Sequence, residues 1–397
     1  MLRGTVVRRR SGTARKLGDF MRLSQRGRSL AGPPIFITGA GVSTASGIPD
    51  YRGPQGLYEK GHRPMTFQRF TSGREQQQRY WARSFLGYPT MCQRAPNGAH
   101  KACASLVRLG AVGHVVTQNV DGLHGEAFRV NEYDHDGAFR RTNGHHGAEE
   151  ERVAGEAPDK LCRSIAHPDC AELHGNIHRV RCLKCGAGAT RRQLQAWLAE
   201  ENHQLLAEHP RLAAAASLEV SEEDGKSPDF VNDEDDKKAA EAVLELSSER
   251  PSPKDRAVPT GSSGLGQSSS SNTSSSALRP DGDFEAEQQW IDRFRIVPCA
   301  SCGEYALKPD MVFFGESTDQ ELVKSIFAKV EDAAWIVCVG TSMQVFSAYR
   351  FVVRAKDKGV PVCVLNTGPT RADKDAALTL DGPVDEILPY LALDFMR

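Results

Sequence analysis

The stretch "PPIFITGAGVSTASGIPDYRG" (33–53) decides the fold. Its apolar start and glycine-rich continuation are typical of a strand whose carboxyl end opens into a loop and then a helix. Three other short β-branched runs also end in small or polar residues: "AVGHVVTQN" (111–119), "AAWIVCVGTS" (333–342) and "VPVCVLNTG" (360–368). Because ligands bind at the carboxyl ends of strands in open parallel sheets, the four runs predict an α/β fold with one shared crevice.

A crossover helix is predicted over "KACASLVRLG" (101–110). Ala102, Leu106 and Leu109 recur at helical spacing, and Gly110 is a residue type that commonly closes a helix.

Composition limits the classes of function that the chain can have. The 397 residues suffice for one large domain and a smaller one, but only 39% are hydrophobic, which predicts that part of the chain is unfolded. The net charge of −1 gives no basic field, so direct binding of nucleic acid is not expected. No apolar run reaches about 18 residues, so a membrane span is not expected either.

Residues 1–30 form a basic leader. They carry nine Lys or Arg and one acidic residue, Asp19, a composition typical of organelle transit peptides. A mitochondrial matrix location is predicted, with plastid or cytoplasm as alternatives, and a solvated basic tail as the alternative to targeting. The leader is therefore excluded from the predicted fold.

Two insertions are predicted to be disordered because they are polar and offer few core residues: 126–170, and 201–285 with its acidic and Ser-rich tracts. A helix is predicted over "RRQLQAWLAEENHQLLAEH" (191–209). Cys162, His167 and Cys170 do not have the spacing of a ligand turn, and we do not expect them to bind a metal.

Two cysteine pairs predict a structural zinc site. Cys182, Cys185, Cys299 and Cys302 form two C-x2-C knuckles, each followed by a glycine, and four thiolates suit tetrahedral zinc. The 113 residues between the pairs are longer than a usual ribbon gap, but loop closure costs grow only logarithmically with length. Four unlinked thiols, or a mixed site that includes His178, are the alternatives.

The loop of residues 39–53 predicts a nucleotide site. Gly39 and Gly41 permit close approach of a diphosphate, and Ser43 can donate a hydrogen bond. The loop is not the dehydrogenase fingerprint G-x-G-x-x-G. Asp50, Tyr51 and Arg52 lie in the same loop, where they could wall a ribose.

The motifs taken together resemble those of the sirtuin family. With the cysteine pairs, they occur in the family order: "GAGVSTASGIPDYRG" (39–53), "TQNVDGLH" (117–124), "ELHG" (172–175), "KPDMVFFGE" (308–316), "GTSMQV" (340–345) and "LNTGPTRAD" (365–373). Tyr51, "QRYWARSF" (78–85) and "GPTRAD" (368–373) resemble the class II branch, which includes the mitochondrial lipoamidase and ADP-ribosyltransferase type.

The resemblance implies a Rossmann-like large domain at 31–57, 94–125 and 305–397, a helical module at 58–93, and a zinc module at 171–200 and 286–304. It implies that NAD is a co-substrate and that acyl-lysine proteins or peptides are the partners. The implied NAD contacts are Gly39, Ala40, Gly41, Ser43, Ile48, Asp50, Tyr51, Arg52, Gln118, Asn119, Val120, Asp121, Gly340, Thr341, Ser342, Asn366, Thr367, Gly368 and Val384. The implied substrate contacts are Val312, Phe314, Gly315 and Glu316.

The implied catalytic residues are His174 and Asn119, with His174 as general base. In the family, the acyl oxygen attacks the nicotinamide ribose, nicotinamide leaves, and the acyl group ends on ADP-ribose. His178 is expected to be a surface or packing residue. Tyr80 and Arg83 could hold an acidic acyl chain, but packing within the helical module is the favoured interpretation.

The expected function is therefore NAD-dependent protein-lysine deacylation. A protein mono-ADP-ribosyltransferase that uses the same pocket is the alternative, followed by a non-catalytic NAD-sensing module. A dehydrogenase is disfavoured because its fingerprint is missing.

Overall fold

The computed structural model describes residues 2–27, 31–53, 56, 58, 63–130, 166–218, 279, 282 and 286–397. Its strands are β1 Ile35–Thr38, β2 His114–Thr117, β3 Cys170–Glu172, β4 Gly175–Cys182, β5 Gly188–Thr190, β6 Leu307–Met311, β7 Ile336–Val339, β8 Val362–Asn366 and β9 Leu378–Asp381. Its α-helices are α1 Leu2–Gly27, α2 Phe67–Thr71, α3 Arg74–Cys92, α4 Gly98–Arg108, α5 Leu123–Val130, α6 Arg191–Glu201, α7 His203–Glu208, α8 Pro210–Ala216, α9 Gln288–Arg293, α10 Gln320–Asp332, α11 Phe346–Asp357 and α12 Val384–Met396.

The main sheet has six strands in the order β3-β2-β1-β7-β8-β9 and is parallel throughout. The four strands predicted from the sequence are its centre, so the predicted α/β fold is confirmed. The outer strands β3 and β9 were not predicted, because "CAE" and "LTLD" are too short and too polar to stand out.

Helices cover both faces of this sheet. Phe36 of β1 joins a buried cluster with residues of α1, α4, α5 and α12. Ile35 and Ile37, on the opposite face of the same strand, join a cluster with residues of α10 and α11. Burial on both sides explains why the central strands are continuous apolar runs.

The predicted crossover helix is α4. The side chain of Asn97 caps its first turn, and Gly110 has the positive φ (71°) expected after a helix end. Ala102 and Leu106 are buried, whereas Leu109, which shares their spacing, is 44% exposed at the C-cap.

The basic leader is part of the fold, so its exclusion was wrong. In α1, Ala14, Leu17 and Met21 are buried in the core cluster that α12 also joins. Arg22 also forms an ion pair with Asp394 of α12 at 3.0 Å. The helical spacing of these apolar residues was hidden in a sequence dominated by Arg and Gly.

A second sheet, in the order β5-β4-β6, belongs to the smaller part of the molecule. Its β6 was assigned to the large domain from residue 305 onward, but it pairs antiparallel with β4, so that boundary is wrong. Trp81 Nε1 of α3 donates to the carbonyl of Leu307 at 3.1 Å, and Trp290 of α9 packs in the same buried cluster. The helical and zinc modules therefore share one core.

The insertion boundaries also need correction. The predicted helix at 191–209 appears as α6 and α7, and α8 continues the packing to Ala216, so order extends well past residue 201. The first insertion begins after α5 and ends before β3. Cys162 lies outside the described residues, as do the other residues of 131–165 and those of 219–285 apart from Arg279 and Gly282.

His167 and Cys170 both lie in packed surroundings. Cys170 is buried in β3, and the His167 ring stacks on Phe128 with centroids 4.6 Å apart.

Among the described residues, no helix is both long and apolar enough to cross a membrane.

Replacing Leu17 by Ala should lower the free energy of unfolding by about 2–5 kcal/mol, because it leaves a cavity between α1 and the core. Leu23→Ala is the matched control, since Leu23 is 65% exposed on the same helix and should change stability by less than about 0.5 kcal/mol. Chemical denaturation of both variants measures the difference. Equal stabilities would mean that α1 does not contribute to the core.

Candidate active site

A cavity of about 830 Å³ lies at the carboxyl ends of the central strands. Residues that follow or end the four predicted strands line it together: Gly39, Gln118, Gly340 and Asn366. This confirms the shared crevice. The predicted residues in its wall are Gly39, Ala40, Gly41, Ser43, Ile48, Asp50, Tyr51, Arg52, Gln118, Asn119, Val120, Asp121, His174, Val312, Phe314, Gly315, Glu316, Gly340, Thr341, Ser342, Asn366, Thr367 and Gly368.

Val384 is the exception among the predicted NAD contacts. It lies in the first turn of α12, is 4% exposed, and packs in the core cluster on one face of the sheet. The cavity wall does not include it.

The floor of the cavity is built from two glycine-containing loops in close contact. Gly41 N donates to the carbonyl of Gly340 at 2.8 Å. A Cβ on Gly39 would lie 2.6 Å from Cβ of Thr341, and one on Gly41 would lie 2.8 Å from the Gly340 oxygen. Side chains at these positions would push the loops apart, so glycine is required for contact as much as for ligand approach.

Polar side chains predicted to bind a ligand also hold the loops together. Asn119 Nδ2 donates to the carbonyl of Gly39 at 3.1 Å and to Ser43 Oγ at 3.0 Å. Ser43 Oγ in turn donates to Asp121 Oδ2 at 2.7 Å. Gln118 Nε2 donates to Thr341 Oγ1 at 2.9 Å. The loops after β1, β2 and β7 therefore form one hydrogen-bonded unit.

A buried histidine supports this unit from below. His124 Nε2 lies 2.9 Å from Thr38 Oγ1, and burial is the main reason that its pKa falls to about 3. The ring is therefore neutral at physiological pH and serves as a fixed polar contact.

His174 projects into the cavity from the turn between β3 and β4. Its Nδ1 lies 3.0 Å from the carbonyl oxygen of Gln118, and its Nε2 lies 2.7 Å from Ser347 Oγ. A carbonyl only accepts, so Nδ1 carries the proton and Nε2 presents a lone pair. Burial is the main cause that lowers the pKa of His174, the hydrogen bond to Gln118 opposes it, and the charge of Arg350 adds to the lowering. A neutral imidazole in this tautomer can accept a proton at Nε2.

The predicted substrate segment lies beside His174. Val312 N donates to the carbonyl of His174 at 2.8 Å, and the carbonyl of Phe314 accepts from Phe67 N at 2.9 Å. The Glu316 carboxylate accepts from the buried Lys308 Nζ at 3.1 Å and from Phe313 N at 2.8 Å. Glu316 thus stabilises the conformation of this segment through these two contacts.

The contacts of Tyr80 and His178 decide between the roles that the sequence analysis considered for them. Tyr80 is 3% exposed and packs edge-on against Phe70 and Phe313, which agrees with the packing interpretation. Of the described residues, those lining the cavity include neither Tyr80 nor Arg83. His178 is buried between Tyr88 Oη at 3.1 Å and the carbonyl of Asp121 at 3.0 Å, so it is a packing residue.

The four cysteines come together outside the cavity. The Sγ atoms of Cys182 and Cys302 are 3.7 Å apart, those of Cys185 and Cys299 are 3.8 Å apart, and all four lie within 4.8 Å of one another. Tetrahedral zinc with bonds of about 2.3 Å requires sulfur separations of about 3.8 Å. Gly186 and Gly303 have φ of 77° and 73°, as predicted for the two knuckles. The donor set fits zinc.

Comparison with known proteins identifies the family of this chain. The Sir2 family model matches residues 39–145 and 149–347. An NAD-dependent protein deacylase of Leishmania major is 35% identical over 364 residues, which is 90% of this chain and 85% of that protein. The chain belongs to the Sir2 family.

Other Sir2 proteins support this placement. The mitochondrial NAD-dependent protein lipoamidase sirtuin-4 of Bos taurus is 32% identical over 92% of this chain and 84% of its own length. A solved Sir2 enzyme structure has a TM-score of 0.53 at 20% identity, covering 97% of this chain and 98% of that one, which shows the shared fold.

Several wall residues of this Sir2 protein were not predicted, among them Met65, Thr318, Phe346 and Ser347. Each comes from a segment outside the quoted motifs or just beyond one. The only signal for Ser347 is its place immediately after the 340–345 loop, and one serine at a helix start is too common a feature to indicate a role.

Cys182→Ser should reduce bound zinc well below one ion per chain and lower the melting temperature, because three thiolates no longer close the tetrahedron. Cys92→Ser is the control, since Cys92 lies outside the cluster and its loss should leave the zinc content unchanged. Elemental analysis and thermal unfolding provide the measurements. Full zinc occupancy with unchanged melting in Cys182→Ser would refute the four-cysteine site.

Proposed function

We propose that this Sir2 protein is an NAD-dependent protein-lysine deacylase. The observation that carries the proposal is His174, whose Nε2 lone pair lies in the same cavity wall as the 39–53 glycine loop and the 312–316 segment. The residues proposed as base, nucleotide loop and peptide-binding segment thus line one cavity. The names of the Leishmania and Bos relatives, a deacylase and a lipoamidase, support the same reaction.

NAD fits the large-domain side of the cavity. The closely packed backbone of Gly39, Gly41 and Gly340 can approach a diphosphate, and Arg52 in the wall supplies a positive charge. Asn366 and its neighbours would hold the adenosine ribose. When bound, NAD supplies the ribosyl carbon that accepts the acyl oxygen as nicotinamide leaves.

The acyl-lysine peptide would bind along Val312–Glu316. Recognition there uses main-chain groups, which demands little peptide sequence. Tyr51, Met65 and Phe313 give the adjoining wall an apolar character that suits an acyl chain.

His174 would accept a proton from a ribose hydroxyl at Nε2. Its Nδ1–H stays on the carbonyl of Gln118, which fixes the tautomer throughout. Asn119 would complete the catalytic pair by holding Gly39 and Ser43 in place around the reacting ribose.

Zinc at the four cysteines would be structural, since four thiolates leave no position for a substrate. A mitochondrial location is part of the proposal, supported by the basic leader and by the mitochondrial name of the Bos relative. Fractionation of cells that express the untagged chain would locate it.

Purified protein should release nicotinamide from NAD only when an acyl-lysine peptide is present, and His174→Ala should abolish about 99% or more of O-acyl-ADP-ribose formation while NAD still binds. The assay uses acetyl-, lipoyl-, glutaryl- and 3-hydroxy-3-methylglutaryl-lysine peptides. His203→Ala is the control, since His203 is exposed on α7. Mass spectrometry should detect O-acyl-ADP-ribose. ADP-ribosylated protein without that product would instead identify an ADP-ribosyltransferase.

The kcat/KM for the peptide should decline as pH falls, with its half-maximal value below about pH 6.5, the ordinary pKa of histidine. The sign follows from the lowered pKa of His174: the neutral base persists to more acid pH than an exposed histidine would allow. A pH–rate profile, with circular dichroism to confirm folding at each pH, provides the measurement. A half-maximal rate above pH 6.5 would contradict this assignment.

A further inference from the structure

Ser347 contacts the proposed base from the side opposite Gln118. It lies in the first turn of α11 and lines the cavity, and its Oγ is 2.7 Å from Nε2 of His174. The imidazole is thus held at both nitrogens, by a loop after β2 and by a helix of the large domain.

The two anchors differ in chemistry. The carbonyl of Gln118 can only accept, so it binds Nδ1–H in every protonation state. The hydroxyl of Ser347 can donate to the lone pair of neutral Nε2 and can accept from Nε2–H of the imidazolium. A hydroxyl therefore suits both states through which a general base passes.

Ser347 is itself held firmly. Its carbonyl accepts from Arg350 Nε at 2.8 Å, and the same guanidinium donates from Nη2 to Thr318 Oγ1 at 2.6 Å. The next residues of α11 are anchored in the core through buried Ala348 and Phe351. The position of Oγ is therefore set by the sheet and its helices, independently of the turn that carries His174.

We infer that Ser347 is a positioning residue for the general base. Its hydroxyl holds the His174 ring at the cavity wall by donating to the single Nε2 lone pair in the resting state, releases that lone pair to the ribose hydroxyl for the proton transfer, and can accept from Nε2–H afterwards. The inference rests on the proposed deacylase function. His174 lies in the turn just before β4 of the small sheet, and Ser347 contacts it from a helix of the large domain. The opposing interpretation is a contact that does not orient the ring for the reaction, in which case removing the hydroxyl costs nothing or speeds the reaction.

The test compares Ser347→Ala with Ser347→Thr, which keeps the hydroxyl. Ser325→Ala is the matched control, since Ser325 is an exposed helical serine that bonds to its own helix. For each protein, kcat and the KM for NAD and for peptide are measured with the acyl peptide that the wild type turns over fastest. The ¹⁵N chemical shift of His174 Nε2 is recorded in the free protein.

Ser347→Ala should lower kcat about ten- to hundredfold, the loss expected for a hydrogen bond to a charged partner, with both KM values within about twofold of wild type. The Nε2 shift should move in the Ala variant and return in the Thr variant, together with most of kcat. An unchanged or raised kcat in Ser347→Ala, or no recovery with Thr, would overturn the inference.

If the proposed deacylase function were wrong, the experiments would give a different result from failure of the Ser347 inference. The wild type would then release no nicotinamide with any peptide. The Nε2 shift in the free proteins would still decide whether Ser347 holds the ring, and an identical shift in wild type and Ser347→Ala would refute it.

Discussion

The close backbone contact between the loops after β1 and β7 is the constraint on which the site depends. Gly41 N donates to the carbonyl of Gly340, and a Cβ on Gly39 or Gly41 would prevent the approach. Because β1 and β7 are neighbours in the parallel register, the loops that follow them come this close only with glycine at positions 39, 41 and 340. The cavity floor, the wall at Thr341 and the position of α11 all follow from this contact.

The polar residues around the cavity have two tasks at once. Asn119, Ser43 and Asp121 form a continuous hydrogen-bonded line that joins the loop after β1 to the loop after β2. Gln118 connects the same line to His174 through its carbonyl and to Thr341 through its amide. The nucleotide loop and the base are therefore positioned by shared contacts. A substitution in the loop is expected to shift the position of His174, and a substitution of His174 to shift the loop.

The sequence predicted what depends on local pattern. Central strands are continuous apolar runs, the two cysteine pairs have their own spacing, and the motif around His174 is distinctive. Contacts set by tertiary packing could not be read in this way. Ser347 contacts His174 although the two residues are 173 positions apart in the sequence. Leu109 follows the helical period but is exposed at the helix end. In α1, Leu17 and Met21 become core residues only because α12 supplies the surface that they bury.

The packing of α1 on α12 has a consequence for how the chain reaches its native state. Arg22 and Asp394 pair across 372 positions of sequence, and Leu17 is buried in the core cluster that α12 also joins. Contacts between residues so far apart in sequence form only after a large loop-closure cost, so the docking of α1 on α12 is expected to be a slow step of folding. Until α12 is in place, Leu17 and Met21 remain exposed apolar residues of the partly folded chain, and such exposed surface favours association between chains.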